Sequence, residues 1–273
     1  MVVLSHRYAN LRLVLGGERQ SDMIVSVPRR SFQLFPVFIA VVPLAALAPV
    51  PTQIMAPDLK PGDSWIFDRS TERGTSGFSD QHVDLKIEHV GVDTMVVGVK
   101  LEGAPTDFED HVVGADWSQR RIIDGKQTAT ARPLAFPLAV GETWTSAFVD
   151  SKHYGTQVSA EHQATHKVTG WEDVTTPAGT FHAIRIESDD KVKAQFMAAN
   201  GAVGGAVATA DGATVIAKTS NSGPHTEYAE ILSTFYYVPE IKYWVKSVED
   251  TYNSENVRTR RQTNLLISFK PAS

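Results

Sequence analysis

The sequence predicts an all-β protein, an antiparallel sandwich or open curved barrel, preceded by an N-terminal export signal. Three observations carry this. His82-Val83-Asp84-Leu85-Lys86-Ile87-Glu88 alternates polar and apolar residues, placing Val83, Leu85 and Ile87 on one face of a strand. Turn residues such as Asp124-Gly125, Pro177-Ala178-Gly179 and Asn253-Ser254 punctuate similar segments. Beyond the leader, no stretch carries a long helical stripe.

The leader is read from Arg29-Arg30-Ser31-Phe32-Gln33-Leu34, which runs into an apolar segment ending near Val50. Paired arginines before an apolar run, followed by Ala46-Leu47-Ala48, have the layout of a bacterial export signal, and the Arg-Arg-x-Phe order resembles the twin-arginine signature. A retained anchor is the alternative. Leu34 to Val50 is 17 residues, the short limit for a spanning helix, and Pro36, Pro43 and Pro49 interrupt it. Residues 1–56 are therefore assigned to an N-terminal extension and signal peptide, with Met23 as a candidate true start. Residues 57–273 are assigned to a single β-domain. That domain holds 29 acidic against 21 basic side chains, so its charge does not favour nucleic acid. Cysteine is absent, which excludes disulfides, thiolate metal sites and a cysteine nucleophile.

Within the β-domain, the strand at 82–88 is followed by Gly91-Val92-Asp93, a hairpin connection, and by the alternating Val97–Leu101. Further strands are expected at Arg120–Ile123, Thr143–Val149, Gln157–His166, Phe181–Glu187, Thr234–Tyr237, Tyr243–Thr251 and Asn264–Phe269. Gly62-Asp63-Ser64-Trp65 recurs as Gly141-Glu142-Thr143-Trp144, and His89-Val90-Gly91 is loosely echoed at the same offset by Val168-Thr169-Gly170. The echo points to two duplicated β units or to two similar strand beginnings. Residues 198–223, rich in Gly, Ala, Ser and Thr, are expected to form a flexible insert.

Three motifs carry a resemblance: Pro133-Leu134-Ala135-Phe136-Pro137-Leu138-Ala139-Val140-Gly141 leading to Trp144; Val168-Thr169-Gly170-Trp171-Glu172 followed by Pro177-Ala178-Gly179-Thr180-Phe181; and Tyr236-Tyr237-Val238-Pro239-Glu240 followed by Val245-Lys246. Together they resemble an uncharacterised bacterial periplasmic antiparallel-β domain family, a domain of unknown function. Its members usually carry tryptophan where Tyr236 stands and glycine where Lys242 stands. The resemblance implies an envelope β-fold and supplies no catalytic residues.

Tests for chemistry are mostly negative. Gly74-Thr75-Ser76-Gly77 has its second glycine one residue too early for a nucleophile elbow. His162 and His166 stand four residues apart, but on a strand that separates them by about 13 Å, too far for one metal ion. They read as surface polar residues, and Arg258-Thr259-Arg260-Arg261 as the solvent face of the last hairpin. In the acidic cluster Asp107, Glu109, Asp110 and His111, alternation sends Glu109 and His111 to one face and Asp110 to the other. No cofactor motif is present.

The functional reading is an exported, non-catalytic envelope protein, periplasmic or secreted, with a binding or structural role and no stable membrane span after signal removal. One alternative is a carrier of a lipid or other apolar ligand in a half-open barrel, with Trp65, Trp144, Trp171, Tyr237 and Trp244 as ligand-contacting aromatics. The second is an envelope hydrolase acting on polysaccharide, with Asp110 and Glu240 as candidate carboxylates.

Overall fold

The computed structural model describes residues 53–104, 107–123, 126–151, 155–198, 208–210, 213–215 and 223–273. The leader through residue 52 and most of the 198–223 insert lie outside the described residues. The chain is all-β. Its strands are β1 (Ser64–Glu72), β2 (Phe78–Val90), β3 (Thr94–Leu101), β4 (Glu109–Gly114), β5 (Gln119–Ile123), β6 (Lys126–Ala131), β7 (Thr143–Asp150), β8 (Gln157–Thr176), β9 (Gly179–Phe196), β10 (Ala208–Ala210), β11 (Ala213–Val215), β12 (His225–Val238), β13 (Tyr243–Asn253) and β14 (Arg258–Lys270). Single 3₁₀ turns at Gly74–Ser76 and Pro239–Ile241 are the helical elements among the described residues.

Of the two architectures expected, the barrel is the one observed. One 12-stranded antiparallel sheet runs β6-β5-β4-β3-β2-β1-β14-β13-β12-β9-β8-β7. Its edge strands β6 and β7 come alongside each other, so the sheet nearly closes. A sandwich would need two facing sheets, whereas β1 pairs directly with β14 and makes the halves continuous. Strands β10 and β11 form a separate ribbon inside the insert.

The sheet consists of two six-stranded meanders, β1–β6 and β7-β8-β9-β12-β13-β14, and their beginnings are built alike. Gly62 and Gly141 both take a positive φ, 98° and 89°. Asp63 Oδ2 accepts from the Lys60 amide (2.9 Å), as Glu142 Oε2 does from the Ala139 amide (3.1 Å). The Gly62 amide donates to Ile87 O and the Gly141 amide to Val168 O, and a register shift follows each acceptor. The structure thus matches Ile87 with Val168. The second echo expected from sequence, His89 with Val168, is off by two residues, because the later meander spaces its glycine and its acceptor two residues further apart.

Layering follows from the alternation. At one end, inward residues are apolar: Trp65 and Phe67 on β1, Ile87 on β2, Val97 on β3, Val168 on β8, Ile186 on β9, Val245 on β13 and Leu266 on β14 belong to one buried cluster. Leu134 and Leu138, from the proline-rich motif, pack into it, and Leu138 bridges to Ile54. Outward positions carry charge, with cross-strand pairs such as Glu161 opposite Lys193 (3.2 Å). That outer face is unlike the apolar band of a lipid-facing barrel. Among the described residues, no helix is long and apolar enough to cross a membrane.

Candidate functional site: a polar lumen

Above the apolar layer the inward residues change character. On β1 the inward series Trp65, Phe67 continues as Arg69 and Thr71. On β14 Leu266 gives way to Asn264, Gln262 and Arg260, and on β13 Val245 gives way to Ser247 and Glu249. On β9 Ile186 is succeeded by Ser188 and Asp190, and on β8 Val168 by His166, Ala164 and His162. These groups line an open cavity of about 1230 Å³ inside the barrel. An aliphatic patch is formed by Leu85 on β2 and by Val97, Val99 and Leu101 on β3, and polar side chains of β4–β6, among them His111, Gln119 and Arg120, complete the wall. Trp117, Tyr243, Trp244 and Phe235 make an aromatic floor, with Trp117 and Tyr243 ring centroids 4.3 Å apart.

Cross-strand pairing aims the two histidines inward. His166 lies opposite Trp144 and stacks on it at 5.1 Å; His162 lies opposite Phe148 and stacks at 4.4 Å. The strand expected around them is correct and longer than expected, but the expected surface location is not. His162 and His166 are only 6% and 4% exposed, because the barrel interior at this level is polar. His162 Nδ1 and Asp190 Oδ2 are 2.7 Å apart, and Ser146 Oγ and His166 Nε2 are 3.1 Å apart. Burial pushes the His166 imidazole down to about 4, partly offset by the Asp190 charge, so it is neutral near pH 7. Such a ring is a weak base, and a Ser146–His166 contact alone does not assemble a nucleophile.

The arginine cluster needs a similar correction. Arg258 and Arg261 face outward and pair with Glu72 and Asp250, Arg261 making two bonds to Asp250 of 2.8 and 2.7 Å. Arg260 points the other way, is nearly fully buried, and donates to Glu249 Oε1 (2.5 Å) and to Gln262. Arg69 Nε donates to Asn264 Oδ1 (2.8 Å). Burial lowers the Arg69 pKa and neighbouring Arg260 lowers it further, against the opposing pull of Tyr243 and Glu249.

The five expected aromatics are dispersed. Trp65 and Tyr237 are fully buried in the apolar layer, and Trp65 Nε1 donates to Ile241 O (2.8 Å). Trp144 is half-buried and donates to Arg132 O (2.9 Å), which links β7 to the segment after β6. Trp171 stacks on His182 at 5.1 Å, away from the cavity lining. Trp244 lines the cavity. Of the two candidate carboxylates, Asp110 sits exposed at the cavity rim, whereas Glu240 lies in the turn between β12 and β13 and is not part of the lining. Arg69, Arg120, Arg260 and the Ser146/His166/Asp190/His162 wall escaped the sequence reading. The available signal was the β8 series Ala160, His162, Ala164, His166, Val168, which shares one face.

No family model and no curated protein sequence matches the chain. Two solved structures are similar to it. A proposed lipoprotein from Parabacteroides distasonis is 11% identical, with 80% of this chain and 99% of that chain covered at a TM-score of 0.44. A proposed exported protein with a YmcC-like fold from Bacteroides fragilis is 11% identical, with 80% and 99% covered at a TM-score of 0.37.

Proposed function

We propose that the chain is an exported envelope protein, periplasmic or secreted, that holds a small amphiphilic molecule in its barrel. Export is supported by the Arg29-Arg30 leader and its apolar run, which also favour the twin-arginine route. Binding is supported by one observation: a cavity of about 1230 Å³ with an aliphatic patch on β2 and β3 and polar side chains from the strands around it. Protein interiors otherwise pack at nearly crystalline density. Ligand pockets are concave, mostly apolar with a few placed polar groups and roughly 300–1,000 Å³ in volume, so this lumen is larger and more polar than most. This reading keeps the carrier alternative from sequence but gives the cargo a polar end.

The test is calorimetric titration of the full chain with octanol, beside the variant Ser233→Phe, which fills the lumen from β12. The proposal expects saturable binding to the native chain and none to the variant. Equal binding by both proteins, or failure of octanol and of its anionic counterpart octanoate alike to bind the native chain, contradicts it.

A further inference from the structure

We propose that the lumen takes its ligand by an oxyanion, a carboxylate or phosphate group, seated on the guanidinium groups of Arg69 and Arg120. This deepens the binding reading above and rests on it.

The inner cations and anions of the cavity do not balance. Arg260 is matched by Glu249, and Asp190 is engaged by His162. Arg69 has only the neutral Asn264 amide as its hydrogen-bond acceptor, and no carboxylate lies within ion-pair distance of it among the described residues. Arg120, on β5, also lines the cavity; its buried Nε has no partner, and no carboxylate is paired with it among the described residues. The acidic groups Asp107, Glu109 and Asp110 sit exposed at the rim, where water screens them.

A partly buried guanidinium without a counter-charge is costly, and an oxyanion is the ligand group whose geometry its planar fork fits. Two such groups opening on one cavity, with Leu85, Val97, Val99 and Leu101 in the same lining, suit an organic anion with an apolar body. Both a carboxylate and a phosphate monoester satisfy this chemistry.

The experiment titrates the full chain with octanoate, octyl phosphate, octanol and octylamine, which share one apolar body. The expected result is that an anionic member binds at least about 10-fold more tightly than octanol, an advantage that added salt reduces. Arg69→Gln and Arg120→Gln each remove that advantage at unchanged melting temperature, Arg69→Lys retains part of it, and the outward-facing Lys191→Gln leaves it intact. If Arg69→Gln does not fold, Arg120→Gln and Arg69→Lys decide the matter. Comparison of octanoate with octyl phosphate separates the two oxyanions. Octanol binding as tightly as both anions, or an advantage indifferent to both arginines, overturns this inference and leaves the binding reading standing. Failure of all four compounds to bind overturns both.

Discussion

Lys242 Nζ lies 2.9 Å from Asp63 Oδ2 and joins the turn between β12 and β13 to the turn that starts β1. The Asp63 carboxylate has no solvent exposure and also accepts from the Lys60 and Ala272 amides (2.9 and 2.8 Å). Lys242 holds a left-handed backbone, φ 63°, at the position where the resembled family usually has glycine. The ion pair therefore offsets a conformational cost of about 1 kcal/mol.

Asp63→Ala removes the acceptor for two amides and one ammonium group, and an expected loss of about 3–5 kcal/mol follows from breaking a buried pair on one side. Urea denaturation measures it. Lys242→Gly relieves the backbone but strands the carboxylate, so it should still destabilise. Burial alone would raise the Asp63 pKa, but its hydrogen bonds from Ala272, Lys242 and Lys60 hold it below the ordinary value. Its stabilisation is thus present above the unfolded-state pKa of about 3.9 and is lost as pH falls through the lower native value.

His166 gives an acid-sensitive contribution in a different window. Its native pKa of about 4 lies below the ordinary 6.5, so the unfolded chain binds more protons between those values and stability falls as pH drops through them. The groups facing the ring are Ser146 and Trp144 from β7, and Asp190 from β9. His166→Gln should flatten the fall in melting temperature across this window. An unchanged slope would contradict the assigned burial.

Tyr237 is fully buried, and its hydroxyl has no hydrogen-bond partner among the described residues. Burial, helped by the Glu240 charge, pushes that hydroxyl far up its titration range. Removing an unsatisfied hydroxyl while keeping the ring should be neutral or stabilising by up to about 1 kcal/mol, so Tyr237→Phe is expected not to lower the urea midpoint.

The tryptophans should separate by position. Trp65→Ala empties the centre of the aromatic layer and should cost about 3–5 kcal/mol. Trp171→Ala removes a half-buried ring stacked on the exposed His182 and should cost clearly less. Equal losses would contradict the layering described above.

Much of the sheet was legible because inward apolar residues alternate with outward polar ones, as at Val83, Leu85 and Ile87. The alternation failed where both faces are polar. Arg260 and His162 face inward, yet nothing local distinguishes them from Arg261 and Gln163, which face out. Glu109–Gly114 and Lys126–Ala131 went unread as strands for the same reason: neither has a strong apolar face. Barrel and sandwich could not be separated because closure depends on β6 reaching β7, a contact no short segment encodes. The Gly62/Gly141 repeat was legible because a positive-φ turn restricts which residues fit. A half-open barrel was foreseen, but its polar lining was missed because that lining exists only once strands from both meanders surround it.

The central claim is that the barrel interior is a binding site for a small amphiphile. The most direct measurement is the electron density inside the barrel in crystals of the full chain grown with octanoate. The account predicts an elongated molecule in the lumen, its carboxylate within hydrogen-bonding distance of Arg69 and Arg120 and its chain along Val97 and Val99. A lumen holding only water, with octanoate absent or bound on the outer face, would contradict it.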